Sequence, residues 1–275
     1  MIAIKLIILG TLSSLIIGTI YMFVILYRFV PNIKNKRHKS LRDQHIEPIS
    51  RFGGLALSFS FWTVLFLFIN LPFEERGFGI ETLSNQKLYG LIFGSFLAWI
   101  LGFLDDLWDL PASWKLFCQI VLGFYTIYIG FSIDKIEGPF FKIYEFGFWS
   151  IPLTVLWIVG IINAINLIDG LDGLAAGHSL IFLLTFALIA FSLENLELVI
   201  IIVVLIGSVM SFLSFNRPPA LIFMGDSGSY FLGYIIALLS IWVCEKSNNS
   251  ISLIPMLILA VPIIDTTFSI FRRFL

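Results

Sequence analysis

Long apolar runs recur along this chain, and most are closed by short polar segments rich in Asp, Asn and Gly. A hydrocarbon core about 30 Å thick needs roughly 20 apolar residues of helix to cross it. Nine runs meet or approach that length: residues 2–29, 52–71, 87–104, 114–132, 149–165, 174–193, 196–213, 228–244 and 251–270. The run 149–165 is the shortest and ends in polar residues, so it is expected to enter a site rather than a plain interface. The first run is too long for a cleavable signal and has no small-residue cleavage site, so it is expected to remain as a helix. No repeat and no low-complexity linker divides the chain. The pattern predicts an all-α polytopic membrane protein with about nine transmembrane helices in one domain, residues 1–275.

Composition agrees. Hydrophobic residues make up 59% of the chain and charged residues 13%, where a soluble domain is about half apolar and about a quarter charged. Cys118 and Cys244 lie inside apolar runs with no CxxC spacing. They read as small buried hydrophobes rather than a disulfide or zinc set.

Charge then orients the helices. The segment after the first run carries Arg28, Lys34, Lys36, Arg37, Lys39, Arg42 and Arg51. Such density marks a cytoplasmic loop and puts the N-terminus outside. Threading nine spans from there adds Lys115, Arg217, Arg272 and Arg273 to the cytoplasmic side, eleven basic residues against six on the other. The acids sort as well. Asp43, Asp105, Asp106, Asp109, Asp169, Asp172, Asp226 and Asp265 fall on the cytoplasmic side with one glutamate, Glu47. The other side carries eight glutamates and Asp134. Asp, short and stiff, suits a tight site for a hard cation.

The polar closures form four clusters. In GFLDDLWDL (102–110), a helix continued through the motif would place Asp105, Asp106 and Asp109 on one broad face. Like charges so close call for a compensating cation. Lys115 follows, as counter-charge or phosphate contact; the plainer reading is a solvated helix end. In NAINLIDGLDGLAAG (163–177), Asn163, Asn166, Asp169 and Asp172 recur every three residues, with glycines between them. They offer oxygen ligands and hydrogen-bond partners together, or else cap a turn. In FNRPPALIFMGDSGSYFLG (215–233), Pro218 and Pro219 break the helix and Asp226 stands directly before an apolar run. Asp226 or Ser227 could cap that run, and its N-terminus could equally receive phosphate, with Phe223 able to stack on a base. In PIIDTTFSIFRRFL (262–275), Asp265 lies within an apolar stretch and Arg272 and Arg273 follow as anchors or phosphate contacts. Threading puts all four clusters on one face. Asp and Asn oxygens with a few cations are suited to magnesium and a diphosphate. A site open to cytosol and bilayer suggests one soluble and one lipid substrate.

Taken together, RFGGLA (51–56), GFLDDLWDLPASWK, NAINLIDGLDGLAAG, FNRPPALIFMGDSG and PIIDTTFSIFRR resemble the polyprenyl-phosphate N-acetylhexosamine-1-phosphate transferases of glycosyltransferase family 4. The resemblance covers nearly the whole chain in the family's order. It implies attack of undecaprenyl phosphate on the β-phosphorus of a UDP-N-acetylhexosamine, giving undecaprenyl-diphospho-sugar and UMP in a bacterial cytoplasmic membrane, as the first membrane step of surface polysaccharide or cell-wall polymer synthesis. It implies Mg2+, with Mn2+ as the substitute, held by Asn166 and Asp226 with help from Asp169. Asp172 and Phe223 are expected at the uridine, and Asn163 and Asp169 with the uridine and phosphate contacts. Asp105, Asp106 and Lys115 are expected at the reacting phosphates, one aspartate having been proposed as a base. No nucleic acid is expected as a partner, and a homodimer is among the assemblies considered.

The departures are informative. The lipid I branch has lysine where this chain has Asp109, which points to the GlcNAc-type branch. Asp169 and Asp172 replace the alanine and asparagine of the eukaryotic branch. The family continues beyond the paired arginines into a His- or Arg-rich loop and a last helix, so the expectation is a chain lacking both. Three rivals stand beside the transferase: a catalytically impaired truncated member, an intramembrane prenyltransferase using DDLWD as a DDxxD motif, and a transporter of an anionic lipid. The segment DKIEGPFFKIYEFG (134–147) reads as a small hairpin at the membrane surface.

Overall fold

The computed structural model describes residues 2–28, 49–70, 86–137, 143–246, 255–260 and 264. Residues 29–48 of the basic loop, Asp265, Arg272 and Arg273 lie outside these residues, as does most of the expected ninth span. Eight helices follow in chain order: α1 Ile2–Arg28, α2 Gly53–Asn70, α3 Gln86–Trp108, α4 Ala112–Tyr128, α5 Ser150–Ile168, α6 Leu174–Ser192, α7 Leu196–Asn216 and α8 Gly225–Lys246. Residues 255–260 are also helical. Seven of the eight are long and apolar enough to cross a membrane. The other, α4, has 17 residues, so the described residues support seven to nine candidate spans.

The protein is a membrane-embedded, multi-pass helical bundle built around α8. That helix packs on α2, α3, α5 and α6, and α7 packs on α1, α2 and α6. From Ser227 to Val243 every residue of α8 is buried, which suits a sequence apolar on all sides. Small residues allow this close packing. A Cβ added at Gly233 would press on the backbone of Ile162 in α5, and one at Gly90 on the side chain of Ile129.

The helices alternate in direction. Phe23 of α1 meets Phe215 of α7 edge to face, and the ends of α3, α5 and α7 share polar contacts with the starts of α2, α6 and α8. Odd-numbered helices therefore run toward one end of the bundle and even-numbered helices away from it. The first three polar clusters meet at that end, as span parity requires. The opposite end holds the hairpin expected from sequence: β1 (Lys135–Glu137) pairs antiparallel with β2 (Ile143–Glu145).

Two boundaries differ from expectation, each with a local cause. Helix α3 does not continue through the DDLWD motif. It stops at Trp108, Asp109 turns left-handed at φ 48°, and Pro111 precedes α4. The Leu110 N–H, left without a helical partner, donates to Asp105 Oδ1 at 2.9 Å. Asp109 is consequently exposed and leaves the face that holds Asp105 and Asp106. In contrast, α5 runs on to Ile168. Asn163 and Asn166 are therefore still helical, with Asp169 just beyond the last turn.

Candidate active site

The site begins with a backbone junction. Residues 50–54 run beside 223–224 like a short strand pair. Phe223 N–H donates to Ser50 O at 2.8 Å, Gly53 N–H to Phe223 O at 2.9 Å and Gly54 N–H to Met224 O at 2.8 Å. Only glycine fits several of these positions. A Cβ on Gly54 would overlap the backbone of Gly228, and one on Gly102 the backbone carbonyl of Asp226. Gly225 has φ 73°, and a Cβ there would strike the Arg51 carbonyl and the Asp106 carboxylate. The RFGG, GFLDD and MGDSG segments are thus one packed unit, although 120 residues separate Asp106 from Asp226 in sequence.

Within this unit Asp106 caps α8 from another helix. Its Oδ1 accepts the Asp226 N–H at 3.0 Å and its Oδ2 the Ser227 N–H at 2.9 Å. First-turn amides lack helical acceptors, and a carboxylate there also opposes the helix dipole favourably. The expectation that Asp226 or Ser227 would cap the run gives way to this arrangement. Asp105, 1% exposed, is equally occupied. Besides the Leu110 amide, its carboxylate takes the Tyr230 hydroxyl at 3.2 Å and an ion pair with Lys115 at 2.6 Å. Lys115 is the counter-charge foreseen, and its side chain is 29% exposed.

The half-buried groups lie beside this buried pair. Asn166 Nδ2 donates to Asp226 Oδ1 at 2.6 Å and to Ser229 Oγ at 2.9 Å. The expected metal pair, Asn166 and Asp226, is therefore in direct contact, and the amide holds the carboxylate in place. Asp169 stands where α5 ends. Burial, together with the Asp226 and Asp106 carboxylates, raises its pKa well above the usual carboxylate value, while the Arg51 charge pulls it down. Two loops close the other side. Asp172 Oδ2 accepts the Ala220 N–H at 3.0 Å, and Asn216 joins the loops by accepting from Gly173 N–H at 2.9 Å and donating to Ile222 O at 2.8 Å. Phe223 is half-buried beside them.

Asn163 is set apart. Its Nδ2 donates to Gln119 Oε1 at 2.6 Å and to Val159 O at 2.8 Å. The Gln119 bond ties α5 to α4 one helical turn from Asn166, and the Val159 bond stays within α5. Sequence reading missed Gln119, Ser229, Tyr230 and Asn216. Their only signal was a polar group in or beside an apolar run.

Asp105, Asp106, Asp169 and Asp226 all lie at this end of the bundle, and the Asp226 and Asp106 charges act on Asp169. Among the described residues, no three His, Cys, Asp or Glu side chains cluster as a metal group. Magnesium does not require one, because it usually keeps waters and takes one or two carboxylates plus substrate phosphates. With Asp109 turned away, DDLWD does not form the three-carboxylate face that a DDxxD diphosphate motif needs.

Residues 88–244 match the model of glycosyl transferase family 4, which is more than half of the chain. The chain is 40% identical over 238 residues to a probable undecaprenyl-phosphate N-acetylglucosaminyl 1-phosphate transferase of Bacillus subtilis, a match covering 86% of this chain and 63% of that protein. It is 33% identical over 232 residues to a phospho-N-acetylmuramoyl-pentapeptide-transferase of Streptococcus equi subsp. zooepidemicus, covering 80% and 67%. A Listeria monocytogenes protein of the latter name is 36% identical over 158 residues, covering 53% and 49%. The chain therefore spans between about half and two thirds of these relatives' lengths. The chain belongs to glycosyl transferase family 4.

Proposed function

We propose that this member of glycosyl transferase family 4 transfers N-acetylhexosamine 1-phosphate, with GlcNAc as the sugar, from a UDP-sugar to undecaprenyl phosphate. The observation that carries the reading is the Asn166–Asp226 contact at 2.6 Å, set among gathered carboxylates at one end of a membrane bundle. The Bacillus subtilis relative's name supports undecaprenyl phosphate as acceptor and an N-acetylglucosaminyl 1-phosphate as the group transferred. The higher identity to the GlcNAc-type relative, with Asp109 at the fifth position of the DDLWD motif, supports the sugar.

In this reaction a lipid phosphate oxygen bonds to the β-phosphorus of the UDP-sugar. The bond from that phosphorus to the bridging oxygen breaks, and UMP leaves with the oxygen. Asp226 and Asp169 would hold a magnesium ion, with Asn166 orienting Asp226. When bound, the ion supplies positive charge to the diphosphate and the leaving UMP. Lys115, fixed by Asp105, presents a partly exposed ammonium to the phosphates. Asp172 and Phe223 are assigned to the uridine.

The hydrogen bonds favour positioning roles for Asp105 and Asp106 over proton abstraction. Both oxygens of each already accept from donors. A phosphate monoester's second pKa is about 6, so much of the nucleophile is dianionic at pH 7 without a base. The basic bias of the loops supports a cytoplasmic site, an external N-terminus and residence in the bacterial cytoplasmic membrane.

The test is UMP release by purified protein given undecaprenyl phosphate, Mg2+ and a panel of UDP-sugars. Release with UDP-GlcNAc is expected, and no UMP from any sugar overturns the reading. Fusing a reporter after α1 checks orientation, with a cytoplasmic signal expected.

A further inference from the structure

The basic groups near the carboxylates are not equivalent. Lys115 is committed to Asp105 at 2.6 Å. Arg51 differs in that its backbone is fixed while its side chain is exposed. On one side Ser50 O accepts from Phe223, and on the other Gly53 and Gly54 donate to Phe223 and Met224. Ser50 Oγ also accepts the Phe52 N–H at 3.3 Å, tightening the turn. The Cβ direction of Gly225 aims at both the Arg51 carbonyl and the Asp106 carboxylate, so the Arg51 backbone stands directly against the wall of the site. Its charge acts on Asp106 and on Asp169.

We propose that Arg51 is a phosphate-binding residue of this site, its guanidinium receiving a phosphate group of the incoming substrate beside Asp106 and Asp169. The inference rests on the transferase reading and adds a residue to it. Three physical reasons support it. A rigid backbone lowers the entropy lost when the side chain engages a ligand. A guanidinium offers a planar fork that matches phosphate oxygens two at a time, which an ammonium cannot do. A dianionic group approaching these carboxylates also needs more compensating charge than Lys115, shared with Asp105 at 2.6 Å, supplies.

The phosphate has two sources, the nucleotide diphosphate and the lipid phosphate. The full chain in detergent is compared as wild type, Arg51→Gln, Arg51→Lys and, as a control at the opposite end, Lys87→Gln. KM for UDP-GlcNAc and for undecaprenyl phosphate are measured separately, together with the thermal stabilisation given by UDP alone and by undecaprenyl phosphate alone. Arg51→Gln is expected to raise one KM about tenfold or more, the usual size for loss of a charged hydrogen bond. The ligand whose KM rises should also lose its stabilising effect in that variant. Arg51→Lys should recover part of the loss, and Lys87→Gln should match wild type in both KM values and in the stabilisation each ligand gives.

Unchanged KM values and unchanged ligand stabilisation in Arg51→Gln overturn the proposal. So does a wild-type protein stabilised by neither ligand. A drop in the ligand-free melting temperature with both KM values intact makes Arg51 a structural residue and also overturns it. If wild type releases no UMP but an Arg51-dependent ligand shift remains, the phosphate site stands and the transfer reading fails. If UMP is released with both KM values equal in wild type and Arg51→Gln, the reverse holds.

Discussion

The two ends of this bundle both carry charge, and they handle it in opposite ways. At the end away from the site, Lys87 and Glu245 join α3 to α8 through a pair 2.6 Å apart whose side chains are 27% and 43% exposed. In the hairpin at that end Lys135 stands opposite Glu145 in the strand register. At the site end the same two helices meet through Asp106, which is 8% exposed and binds backbone amides of α8. Exposed pairs are screened by water and weakly stabilising. Buried carboxylates satisfied by amides tie elements together, and losing them leaves unpaired groups. Charge by itself therefore does not mark a site in this protein. A carboxylate held by distant backbone, next to another left half-buried, does.

Asp226 should show the contrast most strongly. Asp226→Asn keeps the shape and removes the charge assigned to the metal. We expect a loss of UMP release larger than the roughly 10²–10³-fold seen when one charge-stabilising group is removed from an active site. Asn166→Ala, which removes the group holding Asp226, should cost about 10–100-fold, in line with loss of a supporting hydrogen bond at a metal site. A chelator should abolish activity, and added Mg2+ or Mn2+ should restore it. Retained turnover in Asp226→Asn, or indifference to chelation, would break the assignment.

Asp106→Asn comes next and tests the cap. One oxygen remains, and an NH2 group now faces an N–H. The first turn of α8 then loses a charged hydrogen bond and leaves a donor unpaired, which should lower stability by about 2 kcal/mol. The readout is thermal unfolding in detergent, where Asp226→Asn should stay near wild type. If both variants unfold alike, the division into a structural and a chemical aspartate is wrong.

That division could not be read from the motifs alone. Their location was legible, because Asp and Asn beside apolar runs stand out and span parity sends them to one end. The contact of Asn166 with Asp226 follows from that convergence. Other features depend on approaches between remote segments. Nothing within DDLWD reveals that Asp106 binds amides 120 positions later, or that Asp109 turns out at φ 48° once Asp105 takes the Leu110 amide. The regular spacing of Asn163, Asn166, Asp169 and Asp172 read as oxygen ligands and hydrogen-bond partners acting together, or as caps of a turn. Gln119 claims the first of these and Ala220 the last. In the sequence Arg51 counted as loop charge and as the first residue of RFGGLA, with no site role of its own. Its position against Gly225 emerges when RFGG packs on MGDSG.

The glycine junction offers an effect of intermediate size. In Gly54→Ala the new methyl would overlap the Gly228 backbone, and backbone cannot swing aside as a side chain does. Overpacking of this kind usually costs about 1–3 kcal/mol. Because the same junction carries Phe223 and Arg51, activity should fall together with melting temperature. Gly177→Ala is the comparison. That glycine has open space around its Cβ direction and lies within α6, where alanine is the better helix former by about 1 kcal/mol. It should match or exceed wild-type stability.

The smallest effect belongs to the opposite end. Lys87 also lies over the Phe131 ring, 4.8 Å from its centroid, so removing its charge loses a cation–π contact as well as the Glu245 pair. Such contacts at exposed sites are worth about 0.5–1 kcal/mol. Glu245→Gln removes the pair and keeps the ring contact. The double variant should therefore be no less stable than Lys87→Gln alone, since the two residues share one interaction. UMP release should be unchanged in all three, because this pair joins α3 and α8 far from where Asp106 joins them. A substantial loss of activity would mean that the two ends are coupled through α8 and that strain at one reaches the carboxylates at the other. The contrast between the ends would then describe how each is built, and would no longer separate the part that carries the chemistry from the part that does not.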